Sequence, residues 1–138
     1  MKVVVDTNIF VSAIFWTGHP HEILKLAEDG LIDIVASQEM LDELFGVLAR
    51  KKFQPYFYQA STNFQDTKEK ILKLVSVFPV KEKVDVIKDD PSDNMFLACA
   101  FAAQASFIVS GDHHLLNVKK FLGIPILTPK QFFVRYSP

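Results

Sequence analysis

Four carboxylates stand where an acid has more than one use. Asp6 ends the apolar run Val3–Val5 and is followed at once by Thr7 and Asn8; Asp112 follows "FIVSG" in the same manner. A strand-end Asp commonly hydrogen-bonds a turn. In an open parallel α/β sheet, however, ligands bind beyond the carboxyl ends of the strands, and two acids at equivalent places favour a site. Glu43 lies in "SQEMLDELFGVL", at the edge of the apolar stripe of Met40, Leu41, Leu44, Phe45, Val47 and Leu48. From there a glutamate reaches over a sheet edge, whereas Asp42 points toward solvent; taken alone, Glu43 also reads as part of a solvated helix face. Asp93 belongs to "DDPSDN", a helix start with Asp90 as N-cap, Pro91 at the first position and Asp93 at the third. Capping alone explains that segment, yet a helix N-terminus also favours the ionised carboxylate that a metal ligand must be.

Four carboxylates converging on one cleft repel one another unless cations lie between them. Hard oxygen donors select Mg²⁺ or Mn²⁺. Two such ions roughly 3.5–4 Å apart activate a water and stabilise a leaving oxygen in phosphodiester cleavage. That chemistry needs acids and metal, and no Ser or Cys nucleophile.

The elements that must position these acids follow from hydrophobic patterning. "KVVV", "IDIVAS", "FIVS" and "IPIL" are short β-branched runs of the kind found in strands buried on both faces. Helical patterns lie between them: Pro20 to Asp29, stopped by Gly30; a helix after Ser37 as N-cap; "TNFQDTKEKILKLVSVF", with Ile71, Leu74, Val75 and Phe78 at helical spacing; "DDPSDNMFLACAFAAQA"; and "TPKQFFVRY". A further short strand is expected near Val84–Ile87. Strands alternating with helices imply βαβ units with right-handed crossovers. The expected fold is a single α/β domain over 1–138, with a mainly parallel sheet and the acids at its carboxyl edge.

Bulk composition excludes several classes. A chain of 138 residues, 49% hydrophobic and 22% charged, has enough apolar material for a full core. Net charge is −1, so any nucleic-acid binding must rest on local patches. The single cysteine, Cys99, forbids an internal disulfide and fits a reducing compartment. No signal-peptide pattern opens the chain, and no apolar run reaches the ~20 residues of a membrane span. A cytoplasmic protein is expected, with no membrane association.

The ordered set "VVVDTNIFVSA", "SQEMLDELFGVL", "DDPSDNMFLACA" and "FIVSGDHHLLN", closed by "GIPILTPKQFF", resembles the PIN-domain family, in particular the toxin components of toxin–antitoxin pairs. The resemblance spans nearly the whole chain. It implies a Rossmann-like three-layer α/β/α fold and a metal-dependent ribonuclease, with RNA as substrate, Mg²⁺ or Mn²⁺ as cofactor, an antitoxin partner and a homodimer or higher homo-oligomer. Carried over by position, the acids that would hold metal and catalyse are Asp6, Glu43, Asp93 and Asp112. Asn8 and Ser110 fall where the family places supporting polar residues. The pattern departs at Ser92, Asp93 and Asn94, where relatives carry a longer acidic run; Asn94 leaves one negative charge missing from a second metal site.

Other residues read as structural. His113 and His114 follow Asp112 but lack a second His or Cys cluster at zinc spacing, and are expected in a turn or at the surface. Cys99 reads as core. Phe53, Tyr56, Phe57 and Tyr58 beside Arg50, Lys51 and Lys52 have the composition of a base-stacking surface, but 13 Phe in the chain favour packing or a dimer surface. An antitoxin is expected to lay an apolar helix or strand near Phe53–Phe57. Two other function classes fit part of the pattern. A haloacid-dehalogenase-type phosphatase uses a strand-end Asp nucleophile, but wants a second Asp where Asn8 stands. A non-catalytic PIN-like scaffold would bind RNA or a partner without cutting it.

Overall fold

In the computed structural model, which describes residues 1–136, β1 (Lys2–Val5) runs through the middle of the sheet. Val3 and Val4 are fully buried, the signature of a strand covered on both faces. β2 (Asp33–Ala36) and β4 (Phe107–Val109) pair with it in parallel, placing Val4 opposite Val35 on one side and Ile108 on the other. β3 (Ser76–Val77) adds to β2 and β6 (Ile124–Leu127) to β4, both parallel; β5 (Lys120–Phe121) closes an antiparallel hairpin on β6. The order is β3-β2-β1-β4-β6-β5. The chain thus moves outward from β1 to β3 and then returns to lay β4 on the other side of β1. At such a reversal a crevice opens outside the carboxyl ends of the two central strands, and these are the strands that Asp6 and Asp112 follow. Helices on both faces complete the three-layer α/β/α arrangement.

The anticipated helices form as α2 (His19–Glu28), α3 (Gln38–Leu48), α5 (Phe64–Leu74), α6 (Asn94–Ala103) and α8 (Pro129–Arg135). Ser37 caps α3 by accepting the Met40 N–H at 3.2 Å. Thr128 and Gln131 form a reciprocal capping box at α8. α6 packs directly on β1, β2 and β4, and buries every residue from Asn94 to Ala100. Burying a Leu such as Leu97 contributes roughly 1.5–3 kcal/mol. Cys99 is a core residue here, as its sequence context suggests, and burial pushes its thiol up to about 12. None of the described helices is long and apolar enough to cross a membrane.

The structure corrects the sequence reading in several places. α1 (Thr7–Phe15), α4 (Gln54–Gln59, after a 3₁₀ turn at Lys51–Phe53) and α7 (His113–Val118) were not legible as helices. α5 stops at Leu74: Val75 turns extended, Ser76 and Val77 join the sheet, and the Phe78 N–H donates to the Ala36 carbonyl. Helical spacing across 71–78 was therefore coincidence. No strand forms at 84–87. The Val86 and Ile87 N–H groups donate instead to Asn94 Oδ1, at 3.0 and 2.8 Å, and Asn94 Nδ2 donates back to the Ile87 carbonyl. A buried amide thus satisfies a backbone that a strand neighbour would otherwise pair. Asp90 does not cap α6 with its side chain: a 3₁₀ turn at Pro91–Asp93 intervenes, and Asp90 Oδ1 accepts the Ser92 hydroxyl at 2.6 Å.

Candidate active site

Asp6 is delivered by two constraints. β1 ends at Val5, and the Asp6 N–H donates to the Val109 carbonyl, the last pairing step between β1 and β4. Its Oδ1 then caps α1, accepting the Ile9 N–H at 2.9 Å. The turn use and the site use of this acid are therefore the same geometry. Its other oxygen, Oδ2, accepts the Ser110 hydroxyl. Ser110 is fully buried, and its Oγ also accepts the Asp112 N–H at 2.9 Å. One serine therefore ties the two strand-end acids together. Burial raises the Asp6 carboxyl above its usual range, hydrogen bonds from Ser110 and from the Ile9 and Gly111 backbone oppose that, and the Asp112 charge adds to the rise.

Asp112 plays the matching part after β4. Its Oδ1 accepts the His114 N–H at 2.7 Å and so starts α7. The His114 ring lies against the acids, with Nδ1 3.5 Å from Asp112 Oδ1 and 4.0 Å from Asp93 Oδ2. Asp93 is brought in from the start of α6 and is 9% exposed. Its Oδ2 and the His114 Nδ1 are buried polar atoms with no hydrogen-bond partner among the described residues. Burial, first, and then the charges of Asp112, Asp90 and Asp6 push the Asp93 carboxyl up to about 6, against a smaller opposing effect of His114. Glu43 arrives from α3, where its residue is exposed but its Oε2 accepts the Thr7 hydroxyl. Asp42 points the other way and accepts from Gln38 at the surface, as its helical phase requires.

The four acids of the sequence reading do not form one equal set. Asp6 and Asp112 share Ser110, and Glu43 joins through Thr7 on the opposite flank. The tightest group is Asp90, Asp93, Asp112 and His114, each offering one donor atom within 4.8 Å of the others. Asp90 and His114 were passed over, the first as a cap and the second as a surface histidine. Thr7, overlooked beside Asp6, orients Glu43. Ser110 stands between the acids, where a supporting polar residue belongs. Asn8 is exposed instead, and lines a groove with Ser12, Trp16, Arg50, Lys52 and Tyr56. Asn94 is turned away from the acids and spends both ends of its amide on the 86–91 backbone. A carboxylate there would lose the two donors that face the Ile87 and Pro91 carbonyls.

The donor set suits a divalent cation. Three carboxylates and one imidazole converge, two of their buried atoms have no hydrogen-bond partner among the described residues, and burial and neighbouring charges push the Asp93 carboxyl up to about 6. Buried acids in this state are relieved by an ion.

The aromatic segment divides. Phe53 and Phe57 are buried and pack on Phe15, with ring centroids 5.5 and 4.9 Å away. They are core, so a partner near residues 53–57 would meet other side chains. Tyr56 lies edge-on to the half-exposed Trp16 at 5.1 Å, and Tyr58 is exposed.

Comparison with known proteins places this geometry. An uncharacterized protein of Methanocaldococcus jannaschii is 29% identical, the match covering 99% of this chain and 92% of that protein. The crystal structure of VapBC2 from Rickettsia felis, bound to a DNA fragment from its promoter, superimposes with a TM-score of 0.60 at 19% identity, covering 91% of this chain and 97% of that one. The PIN domain family profile matches residues 2–114, the span that holds every acid of the cluster. With a parallel sheet that reverses its order between β1 and β4, and acids gathered outside that reversal, the chain belongs to the PIN domain family.

Proposed function

We propose that this protein is a divalent-metal-dependent ribonuclease and the toxin of a toxin–antitoxin pair, with Asp6, Glu43, Asp93 and Asp112 as its acidic site. PIN domains are nucleases, which gives the reaction class. The observation that carries the reading is the Asp93 carboxylate, buried and unpartnered at the crevice where β1 and β4 deliver Asp6 and Asp112. A Mg²⁺ or Mn²⁺ ion held there would supply water activation and offset the negative charge of a phosphodiester. The chain's own residues supply the rest. Asp93 and Asp112 would hold the ion. Ser110 fixes Asp6 toward Asp112, and Thr7 fixes Glu43 on the far flank. Rigid strand ends keep these groups in place without reorganisation.

An RNA strand is the substrate that this reading requires. The groove beside Asn8 supports it: Arg50 and Lys52 offer phosphate contacts in a chain of net charge −1, and Trp16 and Tyr56 offer faces for bases. An antitoxin partner follows from the toxin reading, and the similarity to a VapBC2 assembly supports it. The deciding experiment is cleavage of a mixed RNA pool by the purified chain with Mg²⁺, with Mn²⁺ and with EDTA. Metal-dependent cleavage supports the reading. Cleavage that persists in EDTA refutes it. Hydrolysis of a phosphomonoester with no RNA cleavage would move the assignment to a phosphatase, and binding without cutting to a scaffold. Expression without an antitoxin should arrest growth, and Asp6→Asn should abolish the arrest.

A further inference from the structure

We infer that His114 is a metal ligand through Nδ1, completing with Asp90, Asp93 and Asp112 a mixed nitrogen–oxygen site that prefers Mn²⁺ to Mg²⁺. This rests on the proposed acidic metal site and specifies its ligands and its ion. Nδ1 is buried and faces two carboxylate oxygens at 3.5 and 4.0 Å, yet hydrogen-bonds to neither. Those separations are too long for strong hydrogen bonds, and they lie between the spacings of neighbouring and of opposite ligands on one ion. Metal–ligand bonds of about 2.1 Å put neighbouring ligands about 3.0 Å apart and opposite ligands about 4.2 Å apart. The Asp112 cap that starts α7 holds the His114 backbone beside the acids. The second unpartnered buried atom, Asp93 Oδ2, is aimed into the same space.

The consequence is selectivity. Imidazole suits transition metals, whereas Mg²⁺ favours oxygen and holds its waters; at one site affinity rises along the first transition row from Mn²⁺. An all-carboxylate site forgoes that discrimination, and a single nitrogen ligand restores it.

The test uses the metal-free full chain with Mn²⁺ alone and Mg²⁺ alone, titrated calorimetrically, and electron spin-echo spectroscopy of bound Mn²⁺. Wild type and His113→Asn should both show modulation from a directly bound imidazole nitrogen, and His114→Asn should not. The ratio of Mn²⁺ to Mg²⁺ affinity should fall about tenfold or more in His114→Asn. If wild type binds Mn²⁺ without nitrogen modulation, or His114→Asn leaves the ratio unchanged, the inference is overturned while the carboxylate site stands. If wild type binds neither ion at millimolar concentration, the proposed metal site falls with it. Should His114→Asn fail to fold by circular dichroism, the wild-type and His113→Asn spectra decide: retained modulation supports His114, and loss in His113→Asn assigns the nitrogen to the neighbour.

Discussion

Asp93→Asn should make the metal-free protein more stable near neutral pH while it disables the proposed metal site. The Asp93 carboxyl is raised from 3.8 to about 6, by burial first and then by the charges of Asp112, Asp90 and Asp6. Two units at 1.36 kcal/mol each make the folded protein about 3 kcal/mol less stable once Asp93 is ionised, as an upper bound. Because the folded value lies above the unfolded one, the stability tied to the neutral acid is fully present below about pH 4. It is lost as pH rises through about 6. Asn has the same shape and no charge, so the variant should match wild type at pH 4 and exceed it at pH 7.5 by up to about 3 kcal/mol, or about 10 °C in Tm for a chain of this length. Its amide also offers Asp112 a donor. The assay is thermal unfolding in EDTA from pH 4 to pH 8, with Asp42→Asn as the exposed control. A second arm adds Mn²⁺. An ion at about a hundred times its Kd stabilises wild type by about 2.7 kcal/mol, and should stabilise the variant far less, so the two curves converge. Parallel pH profiles for wild type and variant in EDTA would refute the account of Asp93 as a carboxylate buried without its counter-charge.

Other expectations follow from single contacts. Asp6→Asn should lower RNA cleavage by roughly 10–100-fold or more with little loss of stability, since the cap to Ile9 survives, while Asp42→Asn cleaves as wild type does; single-turnover rates in saturating Mn²⁺ check this. Asn94→Ala should cost about 3 kcal/mol by urea unfolding, because it strands the Val86 and Ile87 N–H groups. Asn94→Asp should not recover that loss, the acid having no donor for the Ile87 and Pro91 carbonyls. Gln104 ends α6 with φ 53°, and Leu122 opens the β5–β6 turn with φ 48° while 67% exposed. Gln104→Gly and Leu122→Asn should each stabilise by about 1 kcal/mol, read as a higher urea midpoint at unchanged slope.

Four of the six strands, and the strand-end acids, were legible from local residue pattern, whereas the two-residue β3 and β5 were not. "KVVV", "DIVA", "FIV" and "IPIL" are apolar throughout because a parallel strand covered on both faces leaves no polar side. Asp6 and Asp112 stand out because each interrupts such a run. Ser37 was equally plain, since capping is local chemistry between residues three apart. α1 was hidden for the opposite reason. It is short and mostly apolar, and its open side carries only Asn8 and Ser12, too few polar positions to betray a helical period. The 84–87 segment has the composition of a strand, but its backbone is claimed by Asn94, a contact that no local pattern announces.

Which groups meet at the candidate site depends on packing between elements far apart in sequence. Only the return of the chain to place β4 beside β1 lets Ser110 join Asp6 to Asp112 across 104 residues of sequence. Only the docking of α6 and α7 at that edge turns Asp90 from a cap, and His114 from a surface histidine, into neighbours of Asp93 and Asp112. Residue type sets what a group can bind, but burial and the groups facing it set whether it is left unsatisfied. Those are properties of the packed chain: what packs around Asp93 Oδ2 and His114 Nδ1 leaves both without a hydrogen-bond partner among the described residues.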